Sequence, residues 1–319
     1  MKENKKINIA VFYRKYGIAL ILVLLFVASA LVNHNFLKPR NLINILTQIS
    51  VVTIIACGEE MLIVSGLIDL SAGLICTGSA CFAAGVLVNT GSVLAAVLTG
   101  ILFGAACGWV NGFLVTRFKL QAFIATLAMT NVVKGAVQLY TNGQAISGVE
   151  KIEWIGHYKV GGFIPLPVII MLICVAAVYI LMKHTSLGLL IYSIGGNEKA
   201  AIASGVNTNR TKRIIFTLSS ALTGLAGVVL LGRLVAGMPS VGEGYEFDAI
   251  TAVIVGGTSF LGGIGSVTGA LIGSIIVGLI NNILNLLHVS TQYQLIVKGV
   301  LIAGAVIIDT MTKEDKKSM

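Results

Sequence analysis

The sequence predicts an all-α polytopic membrane protein, and three observations carry that expectation. Of its 319 residues, 56% are hydrophobic and 11% charged, and the mean hydropathy of +0.94 lies far outside the range of soluble chains. Apolar runs long enough to cross a hydrocarbon core of about 30 Å recur along the whole chain. The Lys and Arg residues gather in alternate connections between those runs, the pattern of a positive-inside topology.

Polar breaks divide the chain into ten candidate spans, 16–33, 42–66, 69–89, 92–116, 120–140, 165–182, 213–236, 248–260, 265–287 and 293–309. The first follows a charged start (Lys2, Lys5, Lys6, Arg14, Lys15) without a small-residue cleavage pattern, so it is read as a retained span. The eighth has thirteen residues, too short to cross at about 1.5 Å per residue. It is either a half-helix entering a cavity or is extended by its Gly-rich neighbour. With the N-terminus inside, the outside connections hold only Lys38, Arg40, Lys151 and Lys159, and the remaining connections hold most of the other basic residues. Both termini then lie in the cytoplasm, which requires an even number of spans; ten fits and eight also would. The expected organisation is an N-terminal tail 1–15, a transmembrane domain 16–309 and a C-terminal tail 310–319. Within the domain, 141–164 is the longest outside loop and 183–212 the longest inside loop, each able to receive a partner or to serve only as a connection.

An internal repeat runs through the pattern. TGILFGAACGWVNG, with Thr99, Gly100, Gly104 and Asn111, recurs as TGALIGSIIVGLIN, with Thr268, Gly269, Gly273 and Asn281 and one inserted residue. Asp69 and Asp248 each precede a run of small residues upstream, and Gln121 and Gln294 each open an apolar span downstream. Spans 2–5 and 7–10 are thus read as an inverted-topology repeat.

Gly100, Gly104, Gly108 and Gly112 fall on one helical face, a groove for close helix packing, with substrate lining the weaker alternative. Glu59 and Glu60 lie toward the inner end of span 2, read as exposed at the interface or held neutral by hydrogen bonds, with a proton relay the alternative. Asp69 and Asp248 are read first as helix N-caps and second as lining a polar path. GGTSFLGGIG at 256–265 is too glycine-rich for regular helix and must be buried in protein or line water. The sequence holds no GxxxxGK[ST] phosphate loop, no H-E-x-x-H, no G-x-S-x-G and no clustered metal-ligand set, so the chain is not expected to bind or hydrolyse ATP by itself and no enzyme reading has support. The five cysteines all sit in apolar stretches, which gives no sign of disulfides or a metal site.

Six motifs are similar to the ribose-type monosaccharide permease subunits of bacterial ABC importers over about residues 17–309. They are IDLSAG (68–73), QAFIATLAM (121–129), YTNG (140–143), LGLLIYSIGGNEKAAIASGV (187–206), GYEFDAITAVIVGGTSFLGGIGSVTGALIG (244–273) and NNILNLLHVSTQYQLIVKGV (281–300). The resemblance implies a multi-pass protein of the cytoplasmic membrane that acts as a homodimer. Its implied partners are a cytoplasmic ABC ATPase subunit and an extracytoplasmic sugar-binding protein, with membrane lipid as surroundings and no role for nucleic acid. No cofactor is implied on this chain; ATP and Mg belong to the partner ATPase. By resemblance, Gly195, Gly196, Asn197, Glu198, Ala201, Ser204 and Gly205 match the segment that engages the ATPase, with Asn197 expected to cap a short rigid helix. Candidates for the translocation path are Asp69, Asn111, Gln121, Phe123, Asp248, Gly256, Gly257, Thr258, Asn281 and Asn282, with Gly269 and Gly273 joining the helix-packing set. Glu59, Glu60, Leu67 and Lys134 depart from the family's usual residues, so ribose, xylose, galactose, inositol and a signal-sugar derivative all stay open. A self-sufficient proton-coupled transporter using Glu59, Glu60 or Asp69 is the alternative function.

Overall fold

The computed structural model describes residues 9–317, almost entirely as helices. In chain order these are α1 (Ile9–Val32), α2 (Pro39–Val64), α3 (Ala72–Thr90), α4 (Val93–Arg117), α5 (Ala122–Thr141), α6 (Glu153–His157), α7 (Leu166–His184), α8 (Ser186–Gly196), α9 (Glu198–Ala203), α10 (Thr208–Leu234), α11 (Tyr245–Val255), α12 (Val267–Leu286) and α13 (Thr291–Lys317). A small antiparallel hairpin, β1 (Lys159–Val160) with β2 (Ile164–Pro165), sits between α6 and α7.

Each of the ten apolar runs falls on its own helix, and among the described residues seven helices are long and apolar enough to cross a membrane: α2, α3, α4, α5, α7, α10 and α12. α11, with 11 residues, cannot cross. It is a buried half-helix ending at Gly256, so extension through the Gly-rich segment does not occur: Gly257, Gly262 and Gly263 take positive φ (92°, 84° and 77°) and break the helix. Residues 1–8 and 318–319 of the expected tails lie outside the described residues. Residues 9–15 already belong to α1 and 310–317 to α13, since no Gly or Pro separates them from the adjoining apolar runs.

The bundle has two ends. One carries α6 and the hairpin, the other α8 and α9. The start of α2 lies with the end of α12, where Asn41 and Asn282 exchange amide hydrogen bonds of 3.1 and 3.0 Å. The last turn of α2 lies beside the segment leading into α12, where Gly263 N–H donates to the Val64 carbonyl at 2.8 Å. α2 also runs antiparallel to α10: Gln48, early in α2, and Arg233, late in α10, line the same cavity at the α6 end.

Packing repeats itself across the bundle. α3 packs on α4 as α11 packs on α12, α3 on α5 as α11 on α13, α3 on α10 as α11 on α2, and α4 on α10 as α12 on α2. This maps α2–α5 onto α10–α13 with the first helices of the two sets antiparallel. α1, packed on α12, and α7, packed on α2, stand outside the pattern.

Small residues make the closest crossings. Along α4, a Cβ at Gly104 would lie 2.9 Å from the Gly224 backbone, one at Gly108 2.6 Å from Ser220, and one at Gly112 2.9 Å from the Arg213 Cα. A Cβ at Gly100 would lie 2.5 Å from Val228, so all four glycines sit against α10. Gly269 and Gly273 press in the same way against α11, where added Cβ atoms would overlap the carbonyls of Gly256 and Ala252.

Candidate functional site

At the α8 end the chain folds back into two short helices. The Thr185 hydroxyl caps α8 by accepting from Gly188 N–H at 3.3 Å, and Asn197 Oδ1 caps α9 by accepting from Ala200 N–H at 3.1 Å, as a rigid capped helix requires. Gly205, at φ 85°, lets the chain turn out of α9. Ala201 is buried beneath it, while Gly196, Asn197, Ser204 and Gly205 are exposed. Glu198 accepts from Lys212 Nζ at 2.6 Å, which pins α9 to the first turn of α10. Arg213 Nε donates to the Thr116 hydroxyl at 2.6 Å and so ties the same turn to the end of α4.

This folded segment is wedged against the core. Tyr192 donates its hydroxyl to the Gly265 carbonyl at 2.9 Å. Gly195 packs so tightly that a Cβ would overlap the Val64 carbonyl and lie 2.6 Å from Gly263 N. The Gly-rich segment is clamped between α8 and the last turns of α2, with Gly256, Thr258, Ser259 and Gly262 buried and Gly257, Phe260, Leu261 and Ile264 exposed. On its far side the Thr258 hydroxyl donates to Glu60 Oε2 at 2.7 Å, and Ser259 and Phe260 donate to Asp309 at 3.0 and 3.1 Å. A continuous chain of packed groups thus joins α8 to α2, α11 and α13.

Glu59 and Glu60 are both 0% exposed, which rules out the interface exposure expected from the sequence. They lie inside because α2 is enclosed at this level by α10, α11 and α12. Glu59 Oε2 accepts from Asp69 N–H at 3.4 Å. Thr258→Val is expected to leave Glu60 without its hydroxyl donor and to lower stability by about 1–3 kcal/mol. A thermal unfolding scan of the purified protein checks it; Thr258→Ser should stay near wild type.

Two aspartate–asparagine pairs sit at corresponding places in the repeat. Asp69 Oδ1 accepts from the Ser71 N–H at 2.8 Å and from its hydroxyl, Asp69 Oδ2 accepts from the Ser220 hydroxyl at 3.3 Å, and Asn111 donates to Ser71 Oγ at 3.0 Å. In the second half, Asn281 Nδ2 donates to Asp248 Oδ2 at 3.3 Å, and Lys298 Nζ lies 2.9 Å from both carboxylate oxygens. Neither aspartate is the N-cap residue expected from the sequence. α3 has Ser71 in that position, with Asp69 bonding the backbone just ahead of it; α11 starts at Tyr245, three residues before Asp248, and the Gly244 N–H is met by Glu246.

The path candidates do not meet in one place. Asp248 and Asn281 line a polar cavity of about 240 Å³ with Gln48, Arg233, Gln294 and Lys298, toward the α6 end. Asp69 and Asn111 are buried between α3, α4 and α10. Asn282 is joined to Asn41, and Gly256, Gly257 and Thr258 belong to the turn after α11. Gln121 precedes α5 without capping it, and Phe123 is exposed on α5. Lys298, Arg233, Ser220 and Tyr192 were not among the sequence candidates; Lys298, Ser220 and Tyr192 bond to residues far away in the chain and Arg233 lines a cavity with such residues, which spacing along the sequence does not reveal.

Comparison with known proteins decides the family. Residues 41–306 match the permease component of the branched-chain amino acid transport system family. The ribose import permease protein of Bacillus subtilis (strain 168) is 41% identical over 309 residues, covering 96% of each chain. This chain belongs to that permease family. The permease is also 42% identical over 293 residues to the ribose import permease protein of Escherichia coli (strain K12), covering 91% of each chain. It is 37% identical over 313 residues to the D-allose transport system permease protein of the same organism, covering 97% of this chain and 95% of that one. No solved structure matches it. The permease is a membrane protein with several spans, and its apolar helices are the membrane-crossing part.

Proposed function

We propose that this permease is the translocating subunit of an ATP-binding cassette importer, carrying a monosaccharide or related small polyol across the cytoplasmic membrane by alternating access. The observation that carries the reading is near full-length similarity to import permeases named for ribose and allose. ATP and Mg are handled by a separate ATPase subunit docked on α8 and α9, and a sugar-binding protein delivers substrate at the α6 end. The chain crosses ten times as an inverted-topology repeat of α2–α5 and α10–α13, with α11 completing its crossing together with the segment 235–244 before it, and with both termini on the α8 side. The antiparallel packing of α2 and α10 and the scarcity of Lys and Arg at the α6 end support this arrangement.

A second copy completes the path. Asn131, Lys134, Gly135 and Gln138 recur along one exposed face of α5, a helix otherwise apolar enough to span the membrane, and Lys134 pairs with Glu243 at 2.8 Å. Lipid is a costly neighbour for such a stripe. A polar conduit between two α5 helices satisfies it.

The test is sugar uptake into proteoliposomes holding this permease with its ATPase and binding protein, across a panel headed by ribose. Uptake is expected only with ATP present and all three components together. Uptake by the permease alone, driven by a proton gradient, contradicts the proposal and favours a self-sufficient transporter.

A further inference from the structure

At the α6 end lies a second cavity of about 540 Å³, between the start of α2, α6, the β1–β2 hairpin and the end of α10. Arg40, Lys159 and Arg233 all line it, with His157 beside them and the amides of Asn44 and Gln48 on the α2 wall. No Asp or Glu contributes to its lining. Among the described residues none of the three cations has a carboxylate or hydrogen-bonding partner, unlike Lys134, Lys212, Arg213 and Lys298 elsewhere in the chain. Gathering like charges without a counter-ion opposes folding, so the arrangement fits an anion that is absent from the chain itself. Guanidinium groups with adjacent amides match the oxygens of a phosphate group, with the two arginines able to bind it bidentately.

The rim says where such a group comes from. Leu37, Trp154, Tyr158, Phe163 and Ile164 are 51, 52, 57, 81 and 51% exposed around the hairpin and the approach to α2. Aromatic side chains of this kind settle at the boundary between headgroups and hydrocarbon. We propose that this cavity binds an anionic phosphate group, presented by a phospholipid headgroup or as soluble phosphate, with Arg40, Lys159 and Arg233 as its ligands. A headgroup held there would fix the hairpin and the ends of α2 and α10 relative to the membrane surface, with Gln48 and Arg233 shared between this cavity and the one lined by Asp248 and Asn281.

The test uses the purified full-length permease in neutral detergent, with thermal unfolding followed on titration of phosphatidylglycerol, of phosphatidylcholine and of inorganic phosphate against chloride at matched ionic strength. Phosphatidylglycerol is expected to raise the midpoint saturably, with phosphatidylcholine far weaker; a rise with inorganic phosphate as well identifies the phosphate group alone as sufficient. Lys159→Gln, in an exposed hairpin, is expected to fold normally and to weaken half-saturation roughly tenfold, the loss of one charge-assisted bond. Arg233→Gln is expected to do the same. No rise with either anion, an equal rise with phosphatidylcholine, or an unchanged titration in Lys159→Gln would overturn the proposal.

Discussion

Gly195→Leu is expected to yield a permease that reaches the membrane but no longer takes up sugar when its partners hydrolyse ATP. The position has no room: even a Cβ overlaps the Val64 carbonyl at the end of α2 and crowds Gly263 at 2.6 Å. A leucine would lever α8 away from the Gly-rich segment that connects it to α11. Overpacking of this kind costs about 1–3 kcal/mol, enough to shift a two-state equilibrium by roughly fivefold to a hundredfold. Gly196 is the control, since a Cβ there meets nothing within 4 Å. Gly196→Ala should retain transport. Uptake by both variants, normalised to the amount in the membrane, checks the pair. Equal activity of Gly195→Leu and wild type would mean that the contact between α8 and the core does not carry the motion.

Lys298→Met is expected to destabilise the protein strongly. Asp248 keeps 6% side-chain exposure and would be left with Asn281 alone, while Lys298 is 24% exposed. Removing one partner of a buried pair costs about 3–5 kcal/mol; the partial exposure of Lys298 places the loss near or below the lower end, about 3 kcal/mol. The double variant Asp248→Asn/Lys298→Met should recover most of it, because no uncompensated charge remains. Thermal midpoints of the two single variants and the double variant in detergent give the coupling directly, and additivity would show that the pair is not the source of the effect.

Both effects arise from contacts that the sequence does not announce. Apolar runs were legible because a bilayer accepts so few spanning structures, and the shortness of 248–260 left a half-helix or an extension through its Gly-rich neighbour, between which only the fold decides. The Asn197 cap was legible for a local reason: a capping side chain bonds to an amide only three residues away. Corresponding aspartates and asparagines in the repeat were legible as pattern, and the structure joins Asn281 to Asp248 directly and Asn111 to Asp69 through Ser71. The N-cap reading of Asp248 failed because Gly244 and Glu246 set the start of α11, leaving Asp248 one turn inside and free to reach α12 and α13. Glu60 looked like an interface residue from its place near the end of a span. Its hydroxyl partner, Thr258, lies 198 residues away, a distance across which periodicity carries no information. Arg233 read as one charge within a span, and only the folded chain brings it beside Arg40 and Lys159.

The account rests most on α8 and α9 being where a partner's ATP cycle enters the permease, and one cross-linking measurement addresses that contact. Lys199 is exposed on α9, and all five native cysteines are buried and unpaired, so Lys199→Cys provides one accessible thiol. Membranes holding the importer are treated with a short cross-linker carrying a thiol-reactive group at one end and a photoactivated group at the other, with Lys159→Cys at the opposite end of the bundle as the control. The expected result is a Lys199→Cys adduct with the ATPase subunit whose yield changes on adding ATP, and no such adduct from Lys159→Cys. An ATPase adduct at Lys159→Cys, or none at Lys199→Cys in a complex that still hydrolyses ATP and imports sugar, would contradict the account.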